Sequence, residues 1–124
     1  VAIGYDALVA QTTGSNATAV GWKCLDAQTT GSNTAVGSAA LSAVTTGNNN
    51  TAMGISSLLV STADNNTAYG HNTMAANTTG TMNVAMGGFA LDANTTGSWN
   101  TALGYNALSA NKDSSEKMPK IMIV

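Results

Sequence analysis

The chain has 124 residues, a formal net charge of −2 and 8% charged residues, against roughly 25% in ordinary globular proteins. Ala (21), Thr (18), Asn (14) and Gly (13) fill more than half of it, with no Arg, one His and one Cys. These values exclude a nucleic-acid binder, which needs a basic footprint, and a disulfide framework. They also exclude a membrane-inserted chain, because no apolar run nears the ~18 residues of a span. So few acid–base groups speak against an enzyme and against any metal or cofactor site.

Self-similarity at a fixed period marks a repeat architecture. Seven units run through the chain at residues 1–17, 18–33, 34–50, 51–66, 67–83, 84–100 and 101–117, five of 17 residues and two of 16. Each is anchored by a glycine: Gly4, Gly21, Gly37, Gly54, Gly70, Gly87 and Gly104. An Ala stands two residues before every anchor, and an apolar residue sits between them, from Ile3 to Leu103. Four residues after the anchor comes Leu8, Leu25, Leu41, Leu58, Met74, Leu91 or Leu108.

Within a unit, Thr34-Ala35-Val36-Gly37 reads as a strand whose alternate side chains face opposite ways. Its Ala/Gly face is small in every unit, so another backbone must approach it closely. The segment Ala40–Val44 alternates again and predicts a second short strand. Gly14, Gly31, Gly47, Gly80 and Gly97 then mark a turn needing positive φ, with Asp64 in that place in the fourth unit. Two helices and two turns do not fit into 17 residues. The prediction is therefore all-β: a parallel β-solenoid, or β-roll, of seven coils over residues 1–111. At about 4.8 Å per coil it forms a rod of roughly 30 Å. Asn33, Asn50, Asn66, Asn83 and Asn100 should stack as an amide ladder.

Residues 112–124 leave the pattern. Lys112-Asp113-Ser114 replaces the turn, Pro119 stops the coil register, and Ile121–Val124 is an apolar strand-like end that caps the last coil or pairs with another chain. Val1 lies in mid-motif without a Met, which leads us to expect a segment of a longer fibre or a processed product.

The chemistry-bearing residues are sparse. Cys24 stands in a column with Ala7, Ala39 and Ala90 and reads as a small packed hydrophobe. His71 has no companion ligand. The aspartates do not form the dense rows of calcium-binding rolls. Tyr5, Trp22, His71, Trp99 and Tyr105 are the candidate surface contacts, for packing at coil corners or for stacking on a sugar. Asn16, Asn49, Asn65, Asn77 and Asn94 each begin an Asn-x-Thr signal, which a repeat rich in Asn and Thr generates unaided. One rank of Thr18, Thr34, Thr51, Thr67 and Thr101 and another of Thr12, Thr29, Thr45, Thr62, Thr78 and Thr95 raise ice binding as an alternative. Val1 and Val84 interrupt the first.

The motifs VAIGYDAL, NTAVGSAAL and NTALGYNAL resemble the head repeats of YadA-type trimeric autotransporter adhesins. They are closer still to the NTALGYNAL and NTTGS arrays of tail-fibre-like proteins of phages and other viruses. The likeness covers residues 1–111. It implies a left-handed parallel β-roll, three identical chains side by side, and a non-enzymatic stalk, fibre or adhesin of a virion or bacterial cell surface. An extracellular location and a host-surface glycan or receptor as partner follow from the same resemblance.

Overall fold

A computed structural model describes residues 1–112 and 120–124. Those residues hold eight short strands and no helix: β1 (Ala2–Ile3), β2 (Thr18–Val20), β3 (Thr34–Val36), β4 (Thr51–Met53), β5 (Thr67–Tyr69), β6 (Val84–Met86), β7 (Thr101–Leu103) and β8 (Ile121–Ile123). All pair in parallel, each with the next in sequence, in one sheet. The register keeps the columns of the repeat: Ala19 lies beside Ala35, Ala35 beside Ala52, and Thr34 beside Thr51. The chain is thus a β-solenoid of about seven turns.

Alternation along each strand buries Ala19, Ala35, Ala52, Ala68, Ala85 and Ala102 and turns Thr and the apolar residue outward. The anchor glycine that follows has φ between +123° and +140°. A Cβ on Gly37 would lie 2.5 Å from the carbonyl oxygen of Gly54, the equivalent glycine one coil on, and 2.6 Å from its carbon. Close approach and positive φ therefore demand glycine at once. Asn never substitutes here because its tolerance is for φ near +60°, not +130°.

The second limb differs from the expectation. Among the described residues no coil has a second strand. Two tight turns take its place. In the first coil they are closed by Ala7 N–H to Gly4 O (3.3 Å) and Gln11 N–H to Leu8 O (3.2 Å); the other coils repeat the second bond, and the third, fourth, sixth and seventh repeat the first. Positive φ falls two and four residues after the anchor: Asp6 and Leu8, Lys23 and Leu25, Ala39 and Leu41, Ser56 and Leu58, Asn72 and Met74, Phe89 and Leu91, Asn106 and Leu108. The inter-coil ladder runs on through this limb, as in Lys23 N–H to Tyr5 O (2.9 Å) and Leu25 N–H to Ala40 O (3.1 Å). A left-handed L-residue costs about 1–2 kcal/mol, whereas full burial of a Leu contributes about 1.5–3 kcal/mol. Leu25, Leu41, Leu58, Met74 and Leu91 are wholly buried, so burial holds the strained backbone.

The third side is the Thr-Thr-Gly corner. Among Gly14, Gly31, Gly47 and Gly80, only Gly31 has positive φ. The others are glycine for space: a Cβ on Gly47 would meet the Ala63 carbonyl oxygen at 2.6 Å. Ala63, not Asp64, is therefore the fourth coil's counterpart of the corner glycine. Asp64 aligns with Asn48, whose backbone N–H donates to its Oδ1 at 2.7 Å. The left-handed residues of this corner are Asn16, Asn49, Asn65, Met82 and Trp99. The second coil lacks this residue, and Gly31 takes up the turn at φ +114°.

Two polar columns line the interior. In the first, the buried side chains of Asn33, Asn50, Asn66 and Asn83 repeat one pattern. Each Oδ1 accepts the backbone N–H of the next Asn, at 2.8–3.0 Å. Each Nδ2 donates to a corner carbonyl of the next coil, at 2.6–2.9 Å. At the end of this run Asn100 keeps a buried Oδ1 without a partner among the described residues. The second column was not foreseen. It holds Gln28, Ser61, Asn77 and Asn94, all buried, with Val44 interrupting it. Asn94 Nδ2 donates to Asn77 Oδ1 at 2.9 Å.

Of the tail, Ile121–Ile123 pairs in register with Thr101–Leu103, so it extends the coil sheet. Met122 takes the Ala column, and its sulfur accepts the Leu108 N–H at 3.2 Å. The roles expected of Asp113, Ser114 and Pro119 lie outside the described residues.

Candidate functional site

Among the described residues no three of His, Cys, Asp and Glu come together. Cys24 is fully buried. Burial, and then the nearby Asp26 carboxylate, push its thiol up to about 11, which makes it a poor nucleophile. Its column is Ala7, Ala40 and Ala90 rather than Ala39: Leu8 N–H donates to Cys24 O and Leu25 N–H to Ala40 O. Ala39 instead shares the left-handed position of Asp6 and Lys23.

What the surface offers is apolar. The outward column of the sheet runs Ile3, Val20, Val36, Met53, Tyr69, Met86, Leu103 and Ile123. Ile3, Tyr69, Met86, Leu103 and Ile123 in it are exposed. The residue after each anchor glycine forms a neighbouring column, in which Tyr5, Trp22, Ile55 and Tyr105 are also exposed.

The candidate aromatics separate into three groups. Tyr5 and Trp22 hold equivalent positions in adjacent coils, and Lys23 Nζ lies 5.2 Å from the centre of the Trp22 ring. His71 and Tyr105 stand two coils apart and are joined by Phe89, which sequence reasoning passed over. Phe89 meets His71 edge-on at 5.1 Å and Tyr105 at 5.9 Å. The signal for it was Gly88, the one glycine in the column after the anchors. A Cβ on Gly88 would lie 3.4 Å from the Tyr105 ring.

Trp99 lies apart, at the corner that enters the strand. Its indole N–H donates to Met82 Sδ at 3.0 Å. Both residues are left-handed, at φ +58° and +57°, and both are about half exposed, at 50% and 51%. At about 1–2 kcal/mol each, this strain is offset by the buried half of each side chain only.

The five Asn-x-Thr signals also divide. Asn16, Asn49 and Asn65 are exposed at the left-handed corner, while Asn77 and Asn94 are buried in the second polar column. Thr12, Thr29, Thr62 and Thr78 spend their hydroxyl protons on backbone carbonyls of the next coil, at 2.9–3.4 Å. An open groove of about 440 Å³ lies beside Phe89, lined by Val60, Asn72, Ala75, Ala76 and Asp92.

No family model, curated protein or solved structure matches this chain.

Proposed function

We propose that this chain is a non-enzymatic structural rod: a segment of a fibre, stalk or adhesin on a virion or cell surface. In this reading it works outside the cell by length, stiffness and display. Three identical copies pack side by side as left-handed solenoids, and the exposed corners face a host glycan or receptor. The observation that carries the reading is the outward face of the sheet. Exposed Ile3, Tyr69, Met86 and Leu103 in one column, and Tyr5, Trp22, Ile55 and Tyr105 beside them, form one apolar face along the rod. Monomeric soluble proteins rarely leave so extended a patch uncovered, and another copy of the same regular face is the simplest cover.

Light scattering tests it. A particle near three times 12.4 kDa is expected, and Val36→Glu with Met53→Glu should disperse it. A folded monomer at micromolar concentration would overturn the reading.

Ice binding has less support. The second threonine rank uses its hydroxyl protons internally, and Val84 breaks the first. Absence of thermal hysteresis is the expected result.

A further inference from the structure

We propose that the corner built by Met82 and Trp99 is a docking platform for a neutral saccharide, an inference that rests on the reading of the chain as a rod whose corners face a glycan. The motive is a departure from the repeat. Asn16, Asn49 and Asn65 occupy this left-handed column in earlier coils, and Asn is the residue type that tolerates the conformation. Met and Trp do not share that tolerance, yet they adopt it while leaving about half of their surface in solvent. The fold requires a left-handed residue at this corner; filling it with two large side chains that leave half of their surface in solvent, where Asn would be less strained, points to use.

The platform is preorganised. The indole N–H bound to Met82 Sδ at 3.0 Å fixes one side chain against the other. One residue earlier in each coil stands a row of polar groups. Thr81 Oγ1 donates to Ser98 Oγ at 3.3 Å, and the Thr81 N–H donates to the same oxygen at 3.0 Å. Asp64 spends one carboxylate oxygen on the Asn48 N–H and has no recorded partner for the other among the described residues. A rigid aromatic edge beside hydroxyl and carboxylate groups suits a pyranose: its C–H face packs on the ring and thioether, and its hydroxyls bond to the polar row. Among the described residues neither the row nor the corner column carries a cation, and Asp64 adds negative charge. A neutral sugar therefore fits better than an acidic one.

The test uses an array of neutral oligosaccharides of glucose, galactose, mannose and N-acetylhexosamines, with sialylated and sulfated counterparts. Titration of the strongest neutral ligand by calorimetry follows. Neutral ligands should bind, and Trp99→Asn should weaken them about tenfold or more. Its melting temperature should be at or above that of wild type, because the substitution restores the residue of the other coils. Met82→Asn should weaken binding in the same direction, and Trp22→Ser should leave it unchanged. Light scattering should give one particle mass for all of them. The proposal fails if no neutral glycan binds, if affinity survives both corner substitutions, or if it falls with Trp22→Ser instead. A drop in melting temperature for both Trp99→Asn and Met82→Asn would assign the pair to packing and overturn it as well.

Discussion

The strand side of each coil and the limb opposite it carry the same inter-coil ladder on contrary backbones. Thr34–Val36 is ordinary strand, whereas Ala39 and Leu41 in the same coil are left-handed. On the strand side the interior holds Ala and Gly, because the next coil's backbone lies against the Gly column. On the other side it holds Leu, because the turns leave room for a side chain, and burying that side chain stabilises the strained backbone. One side is fixed by space and the other by a balance of strain against burial, so they should fail in different ways.

The largest effect is expected where space decides. Gly54→Ala adds a Cβ 2.6 Å from the Gly70 carbonyl carbon at φ +130°. Strain of ~1–2 kcal/mol and overpacking of ~1–3 kcal/mol should together cost about 2–5 kcal/mol. Gly54→Leu should cost more, and Gly54→Asn should be no milder than Gly54→Ala. Denaturant melts measure the order, and a wild-type Gly54→Leu would show that the column does not touch its neighbour.

Across the coil, Leu58→Gly sharpens the contrast. It relieves the φ of +50° but removes a wholly buried side chain. If burial outweighs strain, stability falls by about 2–4 kcal/mol; a gain on the same melt would mean that strain dominates. Asn66→Ala should follow at about 1–3 kcal/mol. It leaves the buried Asn83 N–H without its acceptor, while the Gly80 carbonyl keeps the Asn77 Nδ2 donor.

Cys24 gives a smaller, pH-dependent effect. Its folded thiol is raised from 9.0 to about 11, so the folded state holds the proton more tightly than the unfolded chain. Stability from this group is complete below pH 9 and is lost as the pH rises toward 11. The loss is on the order of 2 kcal/mol. Urea melts of Cys24→Ala against wild type isolate it, because the variant should lack that part of the alkaline slope. A thiol reagent should not label Cys24 in the folded protein at pH 8.

Most columns were legible because a coil repeats its chemistry in register. Ala19, Leu41, Gly54 and Asn66 recur at one spacing and sit where that spacing puts them. The second limb was not legible because hydropathy reports which residues are inside and not the sign of φ. An Ala-Leu-x-Ala segment alternates equally well through a strand or through two left-handed turns. The Gln28–Asn94 column was hidden because Val44 interrupts its polarity and Ser61 breaks its run of amides. Asp64 was misplaced because the fourth unit drops its second corner Thr and the second unit drops a different residue. At the candidate site, single aromatics could be read off, but the link from His71 to Tyr105 through Phe89 depends on which rings meet across coils.

The asparagine ladder also has a direction. Each Oδ1 and Nδ2 from Asn33 to Asn83 makes a bond forward, to a group 13–17 residues later in the chain, while the Nδ2 groups of Asn33, Asn66 and Asn83 also donate backward, to Gln28 Oε1, Asp64 O and Asn66 Oδ1. During synthesis each finished coil therefore waits with its amide open until the next one emerges, which at ~5–20 residues per second takes about one to three seconds. Closing a loop of that length carries a small and constant entropic cost. Assembly can thus proceed by accretion from the ribosome outward, each turn acting as the mould for its successor.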